Sequence, residues 1–296
     1  MSDLTHAAQP SRLSLALASI RHWLRRLAAN RSFLLGAILF GSICVLTLLT
    51  PLITSVDPNA LSVRNRFKPP SDQYLLGTDN LGRDMLSRVL NGARLSLSIG
   101  FAVVALNAVF GVFLGAIAGY YRRLDDLLMR LADALMAFPA VLLAIGIAAA
   151  LGPSAATAII ALAVVYIPRT ARVVRASIMV ARELDYVQAA RAAGARDGRI
   201  LWHHILPNCL APLIVQLSFV FAYAVLSEAV LSFLGLSAPP TQPSWGVLIA
   251  EGRTYMREAA WLTVIPGIAI AVTVLGLNLL GDGLRDVLDP RMKVEQ

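Results

Sequence analysis

Apolar residues along this chain gather in six long runs, near 33–54, 95–119, 129–150, 154–173, 210–236 and 260–281, and the segments between them carry most of the charge. An α-helix rises ~1.5 Å per residue, so about 20 apolar residues cross the ~30 Å hydrocarbon core of a bilayer. Each run therefore reads as a spanning helix. The fourth is the shortest, because its apolar core from Ala155 to Pro168 must continue past Arg169 to reach full length. The pattern predicts an all-α integral membrane protein with six transmembrane helices, with Pro139, Pro168 and Pro266 as places for bends.

The polar segments have patterns of their own. Between the fourth and fifth runs, Glu183 to Asn208 puts an Ala-rich stretch into water. Residues 184–193 are rich in Ala, Arg and Gln, good helix formers, and Gly194 is placed to end that helix in a left-handed conformation. Small side chains at 189, 190, 192 and 193 would let a partner approach the backbone closely, and Pro207 and Asn208 mark the start of the fifth span. Segment 55–94 holds Pro69-Pro70 and then Leu76-Gly77-Thr78-Asp79-Asn80-Leu81-Gly82-Arg83-Asp84, a density of Gly and Asp that favours tight turns. Met85 to Leu97 reads as a helix leading into the second span. By spacing alone, this segment is an ordered linker or a ligand site, the linker being favoured.

In residues 1–32, Leu13, Leu17, Ile20, Leu24 and Leu27 share one helical face while Arg21, Arg25 and Arg26 fall elsewhere, which suits a helix lying on the cytoplasmic leaflet. No small-x-small site closes the apolar run that follows, so that run is kept as the first span.

Composition agrees with lipid as the solvent: 57% of residues are hydrophobic, 15% are charged and the mean hydropathy is +0.67. Charge then sets orientation. With the N-terminus inside, segments 1–32, 120–130, 169–208 and 282–296 hold 18 of the 26 Lys and Arg residues, and the outside segments 55–94 and 237–259 hold the rest. Both termini read as cytoplasmic. The same bias explains most of the net charge of +8 without nucleic acid, since no basic run is long.

Catalytic chemistry finds little support. A phosphate-binding P-loop needs Gly-Lys before Ser or Thr, whereas the two lysines, Lys68 and Lys293, follow Phe67 and Met292. His203 and His204 are adjacent, so on a helix they diverge by about 100° and do not chelate as an i, i+4 pair would. Cys44 and Cys209 read as small apolar fillers. No catalytic residue, metal site or cofactor is assigned to this chain. Glu228 is the one carboxylate clearly at membrane depth, with Arg130 and Asp133 near the inner end of the third run. It either bonds a neighbouring helix or lines a path, since a proton relay normally needs a chain of such groups.

At the 183–208 interruption a resemblance emerges. Gln188-Ala189-Ala190, then Gly194, then Leu206-Pro207 resembles the EAA loop of bacterial ABC importer permeases, with Gln188 in place of the usual Glu and His204 where Ile is common. Leu76-Gly77-Thr78-Asp79 with Gly82-Arg83-Asp84, Ser232-Phe233-Leu234-Gly235-Leu236, Pro243-Ser244-Trp245-Gly246, Asn278 to Asp286 and Leu288-Asp289-Pro290-Arg291 are similar to the dipeptide/oligopeptide/nickel permease family, in particular to its DppC/OppC-like C-type subunits. The resemblance covers about residues 30–292.

It implies a type I ABC importer permease architecture in a bacterial inner membrane. The permease domain would be 33–292, with periplasmic loops 55–94 and 237–259, a cytoplasmic coupling loop 174–208 and a tail 293–296. A second homologous permease, two ATP-binding subunits that hold ATP and Mg, and a periplasmic or lipid-anchored substrate-binding protein would complete the assembly. Gln188, Ala189, Ala190, Gly194, Leu206 and Pro207 would face the ATPase, and residues 77–84 and 243–246 would lie on the outer face. The solute would be a di- or oligopeptide or a related small solute such as nickel, moved by alternating access. An ion-coupled secondary transporter is the alternative, and it calls for coupling carboxylates at depth.

Overall fold

The structure, a computed structural model, describes residues 25–239 and 241–288. Among these residues there is no β-strand, only an isolated bridge between Thr78 and Asp84. Of the expected amphipathic segment 1–32, residues 1–24 lie outside the described residues, as do the tail 293–296 and the residues 289–292 before it.

Helix α1 (Arg31–Leu48) starts at Asn30, whose side chain accepts from the Phe33 amide at 2.9 Å, and a short α2 (Thr50–Ile53) follows. After a long loop, α3 (Met85–Leu106) begins at Asp84, whose carboxylate accepts from the Ser87 amide at 2.8 Å. A π-helical turn at Asn107–Gly111 carries it into α4 (Val112–Tyr120). Helices α5 (Arg122–Met136), α6 (Ala140–Leu151) and α7 (Ala155–Ala181) come next, then the short α8 (Asp185–Ala192) and α9 (Asp197–Arg199). A π-helical turn (Ile200–Ile205) and a 3-10 turn (Leu206–Cys209) lead into α10 (Leu210–Phe233), followed by α11 (Trp245–Gly252) and α12 (Trp261–Leu288).

Among the described residues, five helical units are long and apolar enough to cross a bilayer, and six if one bent pair counts as a span. That pair corrects the third run: 129–150 is not one helix. It breaks before Pro139 into α5 and α6, bent by 88°. Proline lacks the amide that would continue α5 and disfavours helix at the residue before it. The two halves also differ in character. Residues 122–136 hold Arg122, Arg123, Asp125, Asp126, Arg130 and Asp133, whereas the 12 residues of α6 are wholly apolar. Pro168 and Pro266, by contrast, are carried inside continuous helices.

Between helices in lipid there is little hydrophobic driving force, so contact depends on close packing through small residues. Gly111, Gly115 and Gly119 fall one turn apart and press against Thr170, Ala171, Val174 and Ile178 of α7. Gly36 and Gly276 do the same for α1 against α12. At the first seam Asn107 and Thr170, both buried, share a hydrogen bond of 3.2 Å, and Asn107 also donates to the Val103 carbonyl at 2.9 Å. Outward-facing Leu35, Ile38, Leu52, Phe101 and Leu142 remain exposed, as lipid contact requires.

A Cβ at Gly115 would sit 2.4 Å from the Ala171 carbonyl oxygen, whereas one at Gly146 on α6 would meet nothing within 4 Å. Gly115→Ala is therefore expected to destabilise the folded protein by ~1–3 kcal/mol through overpacking, and Gly146→Ala to be neutral or stabilising. Thermal unfolding of the two purified variants side by side checks this; equal midpoints would contradict the seam.

Candidate functional site

The segment 183–208 sits at the end of the bundle where α7 stops and α10 starts. Helix α8 has Asp185 in its first turn and Arg191 in its last, the arrangement its dipole favours. It ends in a full Schellman motif. Gly194, at φ +78°, donates to the Arg191 carbonyl at 3.0 Å, and Ala195 donates to that of Ala190 at 3.0 Å. Nothing lies within 4 Å of a Cβ built on Gly194, so within this chain backbone conformation rather than space selects glycine.

One residue nails α8 to the spans. Val187 is fully buried among Val174, Ile178 and Ala181 of α7 and Ile200, Ile205, Cys209 and Leu213 near the start of α10. Side-chain hydrogen bonds reinforce the contact. Gln188 donates to the Arg182 carbonyl at 3.1 Å and Arg182 to that of Gly119 at 2.9 Å, while the Tyr120 hydroxyl meets Asp197 at 2.6 Å. The His204 carbonyl accepts from Asn208 at 2.8 Å and from Tyr186 at 3.2 Å, just where Pro207 interrupts the amide ladder.

Of the six residues singled out from sequence, Gln188, Ala189, Gly194 and Pro207 are exposed and Ala190 and Leu206 are half-buried. Gln188 is also tied back to α7. Leu184, Tyr186 and Trp202, none of them singled out by the sequence pattern, stand exposed on and beside α8 and give this tip an apolar rim. A Trp within so short a polar segment was the available signal.

The opposite end is built around buried charge. Thr78 is fully buried: its amide donates to the Lys68 carbonyl at 3.0 Å, and its own carbonyl accepts from the Trp261 indole at 3.2 Å. Asp79 folds the turn by accepting from the amides of Leu81 (2.8 Å) and Arg83 (2.9 Å). Its other oxygen takes Arg83 at 2.5 Å and Arg88 at 2.8 Å, and both guanidiniums also reach Glu251 of α11, at 2.8 and 2.6 Å. Gly82, at φ +73°, is required because a Cβ there would lie 1.9 Å from the Ser62 carbonyl oxygen.

Glu228 is fully buried where α10 meets α11. Its Oε1 accepts from Ser232 at 2.6 Å, and Ser232 accepts from Ser244, the N-cap of α11, at 3.0 Å. It is enclosed by protein. An open groove lies elsewhere, between α7 and α10, with a volume of about 560 Å³ and Tyr166, Arg169, Gln216 and Tyr223 in its wall.

A methionine ABC transporter, MetNI, solved in inward-facing conformations, has a chain that superposes on this one with a TM-score of 0.57 at 19% identity, covering 69% of this chain and 98% of that one. Residues 111–294 match the family described as binding-protein-dependent transport system inner membrane component, and residues 20–70 match the N-terminal transmembrane domain of oligopeptide transport permease C. This chain belongs to that inner membrane component family, in the branch with permease C. A putative peptide transport system permease of Brucella suis biovar 1 (strain 1330) is 59% identical, over 92% of each chain. The dipeptide transport system permease DppC of Alkalihalophilus pseudofirmus is 44% identical over 94% of this chain and 92% of the relative, and that of Haemophilus influenzae is 44% identical over 89% and 92%.

Removing one member of a buried ion cluster leaves an uncompensated charge, which costs ~3–5 kcal/mol. Arg88→Met is expected to lower unfolding stability by about that much, with Arg88→Met/Glu251→Gln recovering part of it. Glu183→Gln, breaking the exposed pair with Arg182, should cost under ~1 kcal/mol. Denaturation of the three proteins in the same detergent tests the order.

Proposed function

We propose that this chain is the C-type permease subunit of an ATP-driven importer of di- and oligopeptides. The observation that carries the reading is the seating of α8 by Val187 across the feet of both α7 and α10, the two helices that also wall the open groove. A partner that moves α8 moves the groove. The family match and the peptide permeases among the relatives supply the solute class, and nickel is the less favoured cargo.

In this reading the segment 174–208 faces the cytoplasm, as do both termini, and 55–94 and 237–259 face the periplasm, in line with the excess of Arg on the α8 side. Two ATP-binding subunits grip this chain's α8 and the equivalent helix of a second, homologous permease. Gln188, Ala189, Ala190, Gly194, Leu206 and Pro207, with the Leu184, Tyr186 and Trp202 rim, form the socket. ATP and Mg reside on those partner subunits. Their closure draws the two α8 helices together, the feet of α7 and α10 follow, and the pathway turns outward to receive peptide from a substrate-binding protein. Hydrolysis reverses the movement. Alternating access thus arises from a differential contact at one short helix.

Gly194→Asp tests the socket. Asp enters the left-handed region with less strain than most residues, and its side chain would project into open space in this chain. The variant should insert and assemble normally, yet lose at least tenfold in peptide uptake and lose stimulation of ATP hydrolysis by loaded binding protein. Uptake at the unmodified rate would sink the assignment. In a deletion strain carrying the unmodified chain, labelled dipeptide uptake should fail on ATP depletion and survive an uncoupler, the reverse of an ion-coupled carrier.

A further inference from the structure

We propose that the groove between α7 and α10 is a substrate subsite in which the Arg169 guanidinium receives the C-terminal carboxylate of the peptide. The inference rests on the peptide-importer reading above. It begins with Arg169, which directly follows the apolar stretch Ala155–Pro168 near the midpoint of the 27-residue α7 and is exposed. An exposed guanidinium is costly against hydrocarbon, so this face of α7 meets water, ligand or protein.

The neighbouring cation behaves differently. Arg172, one turn along, is matched by Asp133 at 2.5 Å. Among the described residues no carboxylate lies within 4 Å of Arg169. It stacks instead over the Tyr166 ring, 5.6 Å from the centroid, and Tyr166 is itself held by a 2.8 Å hydrogen bond between its hydroxyl and that of Ser227. The Tyr223 ring stacks on Tyr166 at 6.4 Å. The guanidinium is thus oriented on an aromatic shelf with its fork uncommitted.

Further donors face the same space. Gln216 and Tyr223 line the groove, and neither side chain is hydrogen-bonded to a described residue, while Phe219 offers an apolar wall. A guanidinium fork with two neutral donors matches a carboxylate in charge and geometry, and about 560 Å³ is within the range of small-ligand sites. The terminal carboxylate is the anionic group every unmodified peptide carries whatever its side chains. Recognition through it would hold a peptide in the pathway without selecting its sequence.

The test uses the complete complex in lipid nanodiscs, without binding protein. A labelled dipeptide should be displaced by unlabelled dipeptide and at least tenfold less well by its C-terminal amide. Arg169→Gln should weaken binding at least tenfold and abolish that preference; Arg169→Lys, which keeps the charge and loses the fork, should fall between. Assembly with the partner subunits should be unchanged. The proposal is overturned if the amide competes as well as the free acid, if a peptide-importing complex shows no such binding, or if Arg169→Gln binds like the unmodified protein. It is overturned equally if Arg169→Gln releases the second permease, which would assign the cation to a carboxylate of that subunit. A complex that imports no peptide at all would instead refute the functional reading itself.

Discussion

The arrangement depends on how closely α4 and α7 can approach. In lipid, apolar side chains gain little by touching one another rather than acyl chains, so dispersion at short range and the occasional buried hydrogen bond must hold the spans together. The glycines at 111, 115 and 119 permit that range, and the Asn107–Thr170 bond adds direction. With α7 so fixed along one side, its other surfaces are free for α10, for Val187 of α8 and for the groove. Loosen the seam and each of those contacts loses its reference.

Much of this was legible in the chain. Periodicity and length found the spans, and Gly194 announced its helix end because few other residues adopt that backbone angle. Pro139 marked a place for a bend, but the size of the break was harder to read, since an apolar stretch does not record whether it runs straight, and the change from charged α5 to apolar α6 was the clue. The Asp79–Arg88–Glu251 cluster and the groove were beyond reach for another reason. They join residues distant in sequence, Arg88 with Glu251 and Arg169 with Gln216, and nothing local in either partner announces the other. Glu228 stood out as a deep carboxylate, but only the fold surrounds it with Ser232 and Ser244.

The two ends of the molecule differ in mechanical character. At one end four charges, three of them nearly dry, tie the 77–84 turn, α3 and α11 into a block that could not shift without stranding an ion. At the other, α8 is held by one buried valine and two single side-chain hydrogen bonds, from Tyr186 and Gln188, to backbone carbonyls. Movement therefore costs less at the α8 end, and a force applied there spreads into α7 and α10 before it reaches the charged block.

The two π-helical turns, Asn107–Gly111 and Ile200–Ile205, add a rotational dimension. Each residue advances a helix by about 100°, so the residue a π turn accommodates re-phases everything beyond it. The α3 half of its span can then spread its contacts over α7, α10 and α11 while the α4 half turns its glycines to α7. A straight helix would offer one continuous stripe to one neighbour. The chain in effect splices two differently clocked helices end to end, and that offset lets a single span serve two walls of the bundle.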